Sequence, residues 1–350
     1  MRVVIIGAGV SGLSLQHFLY KQGIEALIID SKKKLGLPIR DTGLISNTTF
    51  KFFPSIKDKV VEEVFDESEF VFSEFSIRFS SKKSRMYMVK RDKLDQEIFN
   101  QTKTLASEPK ILLGKRVIGI NPEENFVVLD GGKQIRYDIL VGADGTYSIV
   151  TRTFGLDENV RYIVSQEAIF RTKAKQEKKI RMFFSDEYSK EHFLWKIYYD
   201  KKIKIGYMDR FVNKQFSNLV SSIKEKKIEE YADMIKIGRV KLVKNNVLVV
   251  GEAAGLLKPF SMGGISYGVV SSFIASKFIK KAVESEDILV LSKYEKLVRM
   301  LLDKGIVFGY LSKELFKQIK RSRFLQMMLK LSNANKLARV LHPDFIKLSV

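Results

Sequence analysis

Gly7-Ala8-Gly9-Val10-Ser11-Gly12 sets three glycines at the spacing of a phosphate-binding turn, and Asp30 stands 18 residues after the last of them. The apolar run Val3 to Ile6 ahead of the turn reads as a buried parallel strand, Leu13 to Lys21 as a helix and Ala26 to Ile29 as a second strand. In that setting Gly7 permits the tight turn, Gly9 lets a pyrophosphate approach the backbone, and Gly12 lets helix and strand pack closely. Ser11 lies in the first turn of the helix, whose free N–H groups and positive end hold phosphates. Asp30 ends the second strand, where a carboxylate accepts hydrogen bonds from an adenosine ribose. The chemistry indicated is dinucleotide binding rather than a bare glycine turn, and on this motif alone NAD and FAD both fit.

Two further segments separate the cofactors by resemblance. Leu140-Val-Gly-Ala-Asp144-Gly-Thr-Tyr-Ser148, followed by Arg152 and Gly155, resembles the Ala-Asp-Gly-x-x-Ser turn of the para-hydroxybenzoate hydroxylase class of flavoproteins. The resemblance implies that Asp144 lies near the pyrophosphate of FAD. Gly251-Glu252-Ala-Ala-Gly255, then Pro259 and Gly263-Gly264-Ile265, is similar to that class's ribityl-binding motif. It implies a helix start at Gly264-Ile265 aimed at the flavin ring, where N–H groups stabilise the negative charge left by reduction. Glu252 departs from the family aspartate by one methylene.

Within the class, the chain most resembles the geranylgeranyl reductase family, over most of its length. Leu35-Gly-Leu-Pro-Ile-Arg40 and then Gly43-Leu-Ile-Ser46 are similar to that family's Gly-x-Pro-Val-Arg-Cys…Gly-Leu-Ser loop, implying cofactor contacts at Arg40, Asp41, Thr42 and Gly43. Arg91 resembles the arginine of its Arg-x-x-x-Asp segment, and Val117 aligns with the strand residue that touches adenine. Asp41 stands where many of these reductases carry a cysteine. The family's Tyr-x-Trp-x-Phe-Pro motif is reduced to Phe193-Leu-Trp195-Lys-Ile-Tyr198, which keeps the only tryptophan and loses the proline. The resemblance implies FAD as cofactor and a hydride passed from reduced flavin to an isoprenoid double bond. The candidates for the catalytic surroundings are Asp41, as a proton or water contact, and Phe193 and Trp195, as channel walls. Each has a plainer reading: a loop-capping aspartate and two sheet-core aromatics. The alternative activity is that of an FAD monooxygenase acting on an aromatic or quinone-type substrate.

The elements that must position these residues form an α/β protein with a Rossmann-like cofactor domain and an inserted antiparallel sheet. The expected boundaries are 1–158 with 238–290 for the FAD domain, 159–237 for the substrate sheet and 291–350 for a C-terminal helical segment. A hairpin at 68–90, turning at Ser81 to Ser84, joins the substrate side, and a helix is expected over Phe216 to Lys236. There is no cysteine, which excludes disulfides, thiolate catalysis and cysteine-held clusters. His17, His192 and His342 are far apart, so no metal site is expected. The N-terminus does not read as a signal peptide, and no apolar stretch approaches the roughly 18 to 20 residues of a spanning helix. A cytoplasmic protein is expected, with peripheral membrane contact through its basic C-terminal helices. With 61 Lys plus Arg against 40 Asp plus Glu the net charge is +21, which attracts polyanions, yet no specific nucleic-acid motif is present. A single G-x-G-x-x-G leaves no second dinucleotide domain, so the electron donor is either transiently bound NAD(P)H or a reduced carrier protein, and the substrate a hydrophobic isoprenoid lipid.

Overall fold

The computed structural model describes residues 1–80, 85–106, 108–173 and 178–331. The turn expected at Ser81 to Ser84, His342 and the end of the C-terminal segment from 332 onward lie outside the described residues.

Four parallel pairings build the first sheet. Strand Val3–Ile6 lies between Ala26–Asp30 and Ile139–Gly142, with Ile111–Leu113 and Val247–Val249 next outward. Val243–Lys244 adds an antiparallel edge. Val3, Val4, Ile5 and their counterparts Ile139 to Val141 are 0–1% exposed, as expected for strands covered on both faces. Helices Val10–Tyr20 and Ile265–Ser285 pack against one another over this sheet, joined by Ser272 Oγ donating to the Ser11 carbonyl at 2.8 Å. The chain leaves Val3–Ile6 toward one neighbour and returns on the other side, so the crevice at the carboxyl ends of these strands is the topological switch point where α/β sheets bind ligands.

The second sheet has seven strands. In spatial order they are Lys226–Arg239, Asn159–Arg171, Lys202–Asp209, Leu194–Tyr199, Lys179–Phe183, Glu67–Val71 and Ser76–Ser80. All its pairings are antiparallel except Lys179–Phe183 with Glu67–Val71, which is parallel. Two expectations need correction here. Ser76–Ser80 turns back on Glu67–Val71 in the large sheet, whereas Met86–Val89 pairs with Leu44–Ser46 and Val61–Phe65 in a separate three-stranded sheet. The two halves of the expected 68–90 hairpin therefore belong to different sheets. The helix expected over Phe216 to Lys236 ends at Ser222; Lys226–Arg239 is a 14-residue strand. Its Glu, Lys, Ala and Met residues favour a helix, but thirteen register pairs with Asn159–Arg171 override that propensity.

The long helix Lys293–Arg321 crosses from one half to the other. Tyr294 donates to the Val249 carbonyl at 2.9 Å in the parallel sheet, and Phe316 and Ile319 pack into the aromatic core of the large sheet.

Candidate functional site

The glycines of the first turn differ in what surrounds them. A Cβ on Gly7, whose φ is +108°, would lie 2.3 Å from the Ala143 carbonyl oxygen, and one on Gly12 would lie 1.9 Å from the Gly7 oxygen. Both glycines are demanded by packing. A Cβ on Gly9 would meet nothing within 4 Å, so packing among the described residues does not require that glycine. What lies beside it is open space at the uncapped start of Val10–Tyr20. Asp30 receives the Ala8 N–H at 2.5 Å and the Lys32 N–H at 2.7 Å, which pins the turn to the end of its strand. The Ser11 side chain points elsewhere: a Cβ on Gly251 or Gly268 would fall 2.1 or 2.4 Å from its Oγ, so it fills the crossing of the two helices.

The second turn touches the first through Ala143. Asp144 takes the Ile149 N–H on Oδ2 at 2.7 Å, while its Oδ1 is buried with no hydrogen-bond partner among the described residues. Burial pushes this carboxyl above its usual range, although Ser148 and backbone N–H groups pull the other way. The third turn brings Glu252 against the second, its Oε1 accepting from Thr146 Oγ1 at 2.5 Å. Burial, only partly offset by that hydroxyl and reinforced by Asp233 and Asp41, pushes the Glu252 carboxyl up to about 7. Helix Ile265–Ser285 then starts at Gly264 with no side-chain cap and no acidic residue in its first turn. Ser266 is tied to Ser46 of the Arg40–Ser46 segment, Oγ to Oγ at 2.9 Å.

These features fit FAD. There is open space where Gly9 would meet a pyrophosphate, an unmatched acceptor on Asp144 for a hydroxyl, and an uncapped helix start at Gly264-Ile265 for developing negative charge.

The segment from Arg40 to Gly43 is held from both sides. Asp41 caps it by accepting the Gly43 N–H at 2.9 Å and pairs with Arg91 Nε at 2.6 Å; Arg91 also holds Asp95 at 2.9 Å. Both Asp41 oxygens are thus engaged in holding the loop. Gly43, at φ +75°, comes so close to the strand ending at Val89 that a Cβ would lie 2.8 Å from the Val89 oxygen. Arg40 is mostly exposed, 3.6 Å from Asp233. Val117 opens strand Val117–Asn121 in a separate three-stranded sheet and packs against the edge of the core.

Sequence reading missed the node that ties this loop to the large sheet. Register places Tyr231, Glu167, Gly206 and Trp195 in one row across four strands. A Cβ on Gly206 would lie 2.2 Å from the Trp195 ring, so the indole leans over the glycine and its Nε1 reaches Glu167 at 2.8 Å. Glu167 is 1% exposed and also accepts from Thr42 Oγ1 at 2.8 Å and Tyr231 OH at 2.7 Å. Lys204 Nζ, 3.6 Å from the same carboxylate, donates to the Thr42 carbonyl at 2.6 Å. A buried carboxylate requires this many donors to be tolerated.

Phe193 and Trp195 are buried, 4% and 8% exposed, in a cluster with Phe184, Phe260 and Phe316. The cluster has one distinctive placement. Phe260 belongs to the segment that leads into Gly263-Gly264, and it stands 5.7 Å from Phe193 of the large sheet. The boundary between the segment that leads to Gly264 and the sheet is therefore apolar and aromatic. Among the described residues there is no cluster of metal-ligating side chains and no helix long and apolar enough to cross a membrane.

Comparison with known proteins agrees with the motifs. Residues 1–182 match the family model for pyridine nucleotide-disulphide oxidoreductases. A protein of Methanocaldococcus jannaschii is 28% identical, the match covering 95% of this chain and 88% of the relative. The digeranylgeranylglycerophospholipid reductase of Picrophilus torridus is 24% identical over 89% of this chain and 86% of its own. Among solved structures, a geranylgeranyl bacteriochlorophyll reductase-like protein from Thermoplasma acidophilum superposes with a TM-score of 0.82 at 18% identity, covering 97% of this chain and 91% of that one.

Proposed function

This chain belongs to the pyridine nucleotide-disulphide oxidoreductase family and is an FAD-dependent oxidoreductase, and from that premise we propose that it hydrogenates double bonds in the isoprenoid chain of a membrane lipid. The dithiol chemistry in the family's name is closed to it, since it has no cysteine; flavin binding is what carries over. The observation that supports the alkene reading is the aromatic wall of Phe184, Phe193, Phe260 and Phe316 beside the loop that leads to Gly264. Reducing an unactivated double bond needs alignment and exclusion of water more than acid–base assistance, and such a wall supplies both.

FAD would supply the hydride when bound, with a proton from solvent completing the addition at the other alkene carbon. The Gly7–Gly12 turn would hold its pyrophosphate with Asp144 nearby, Asp30 its ribose, Glu252 its ribityl hydroxyls, and the N–H groups at Gly264 and Ile265 its ring. The chain's own contribution is positional: Glu167 and Lys204 fix Thr42, Asp41 and Arg91 fix the same loop from the opposite side, and the phenylalanines hold the alkene in a dry setting. The names of the relatives point the same way. One face of Lys293–Arg321 carries exposed Met300, Val307 and Leu311, and Phe324, Met327 and Met328 continue the apolar surface in Arg323–Leu331. Combined with the basic charge, this face supports docking of the enzyme at the surface of an anionic membrane.

The deciding experiment photoreduces the purified holoprotein without oxygen and then adds a geranylgeranylated lipid in detergent. Reoxidation of the flavin, with a product heavier by two mass units per double bond, is expected. No reoxidation by the lipid, but rapid reoxidation with oxygen and an aromatic acceptor, would replace this reading with the monooxygenase.

A further inference from the structure

Where the second and third turns meet the large sheet, one hydroxyl stands between two acceptors. Thr146 Oγ1 lies 2.5 Å from Glu252 Oε1 and 3.0 Å from the carbonyl oxygen of Met234. A threonine hydroxyl has a single proton to give. When Glu252 is ionised its carboxylate takes that proton, and the Met234 carbonyl loses Thr146 as a donor. When Glu252 carries a proton on Oε1, the acid donates to Thr146 Oγ1 and Thr146 donates to Met234. The neutral acid therefore closes one more hydrogen bond than the ion. Met234 belongs to Lys226–Arg239, the edge strand of the seven-stranded sheet, and its own N–H donates to Asp233 Oδ1 at 2.8 Å. One proton thus decides whether the third turn is tied to the sheet edge.

The charges around Glu252 favour the same state. Asp233 acts on it from the edge strand and Asp41 from the flavin-side loop, while the hydroxyl of Tyr147 faces it from the second turn. Asp233 is paired with Arg40 at 3.6 Å and Asp41 with Arg91 at 2.6 Å. Lys236, the cation acting on Glu252 from the same strand, is fully buried and already shared between Asp157 at 3.2 Å and Thr151 at 3.1 Å. Burial first, then the two carboxylates, hold the Glu252 carboxyl at about 7 against the pull of Thr146 and Lys236. Glu252 lies in the turn Gly251–Ala254, where Ala253 and Ala254 are buried and Glu252 keeps part of its surface. The same motif runs on to the uncapped helix start at Gly264, a place suited to negative charge. A second negative charge on Glu252 would oppose charge gained there, and a proton on Oε1 removes that opposition.

We propose that Glu252 is a proton-holding residue of the flavin site. When two electrons from the donor reach the flavin, one proton goes to the cofactor and a second goes from solvent to Glu252 Oε1, after which Thr146 turns its own proton to Met234. The inference concerns flavin reduction alone and stands whether or not the substrate is an isoprenoid.

The reduction potential of the FAD-loaded full-length protein is measured by spectroelectrochemistry with mediator dyes from about pH 6 to 9. At fixed potential, one proton per two electrons changes the reduced-to-oxidised ratio tenfold per pH unit and two protons change it a hundredfold, which for a two-electron couple are about 30 and about 60 mV per pH unit. Between about pH 7 and 8.5 the parent is expected to follow the steeper line. Glu252→Gln, neutral throughout, should follow the shallower one. Asp233→Asn removes one facing carboxylate and should start the steep segment at lower pH. One proton per two electrons in the parent across that range, or the steeper line persisting in Glu252→Gln, would overturn the proposal. If Glu252→Gln does not retain FAD, the infrared spectrum of the parent decides. At about pH 8, reduction should bring up the C=O stretch of a protonated carboxylic acid that shifts in D2O, and its absence overturns the assignment.

Discussion

The parallel sheet and the seven-stranded sheet build their halves of the site in opposite ways. The cofactor side works through missing atoms: Gly7 and Gly12 bring backbone within contact distance, Gly9 leaves a space, and helix ends supply charge without a charged side chain. The seven-stranded sheet works through compensated ones. Glu167 is buried and matched by Thr42, Trp195, Tyr231 and Lys204, each arriving from a different part of the chain. Backbone geometry can be specified by a few contiguous residues, whereas a buried charge has to be satisfied by whichever strands the register brings beside it.

Substitutions test that contrast directly. Gly12→Ala drives a methyl into the Gly7 carbonyl and should cost more than about 4 kcal/mol, leaving little folded protein. Gly9→Ala should melt within a few degrees of the parent yet bind FAD at least about tenfold more weakly. Apoprotein melting and fluorescence titration with FAD read both, and equal destabilisation by the two would break the division of roles between these glycines. Glu167→Ala strands Lys204 and three other donors and should lower urea stability by about 3–5 kcal/mol with a red shift of Trp195 emission; a loss under 1 kcal/mol would show that the node is not compensated as described.

The third prediction follows from a carboxyl on the cofactor side. Because the folded state raises Glu252 from 4.5 to about 7, folded apoprotein holds a proton that the unfolded chain releases between those values. Stability should therefore fall as pH rises through that window, by up to about 3 kcal/mol, and level off above it. Glu252→Gln keeps the acceptor for Thr146 and should flatten the profile; an identical slope in the variant would exclude Glu252 as its source. The smallest effect concerns the exposed face of the long helix. Leu311→Ser should weaken binding to anionic vesicles, read by sedimentation, by about tenfold or more, consistent with the loss of about 1.5–2 kcal/mol of apolar burial, and leave melting unchanged. No change in sedimentation would remove this face from membrane contact.

The cofactor half was legible because its signals are local: three glycine turns, each after an apolar strand, mark their own geometry. The loop was legible in position, and so was the capping of its turn by Asp41. Glu167, Lys204 and Tyr231 escaped notice because no spacing announces them. They are neighbours only through strand register, and Gly206, which lets the indole reach Glu167, looks like any other glycine in a strand. His192 and Lys313 are 121 residues apart and meet only where the long helix crosses the sheet. The helix read over Phe216 to Lys236 failed for the same reason, since pairing partners far away in sequence decided the conformation of Lys226–Arg239.

The parallel pairing of Glu67–Val71 with Lys179–Phe183 joins segments more than a hundred residues apart, and the parallel sheet in turn takes strand Val247–Val249 from beyond the whole antiparallel run. Each sheet is threaded through the other along the chain. A ribosome that has released the first 160 residues has produced neither sheet in full, and both must wait until about residue 250 has emerged. Folding governed by such distant contacts is slow, and the incomplete sheet edges stay open to chaperones or to misassembly for all of that time.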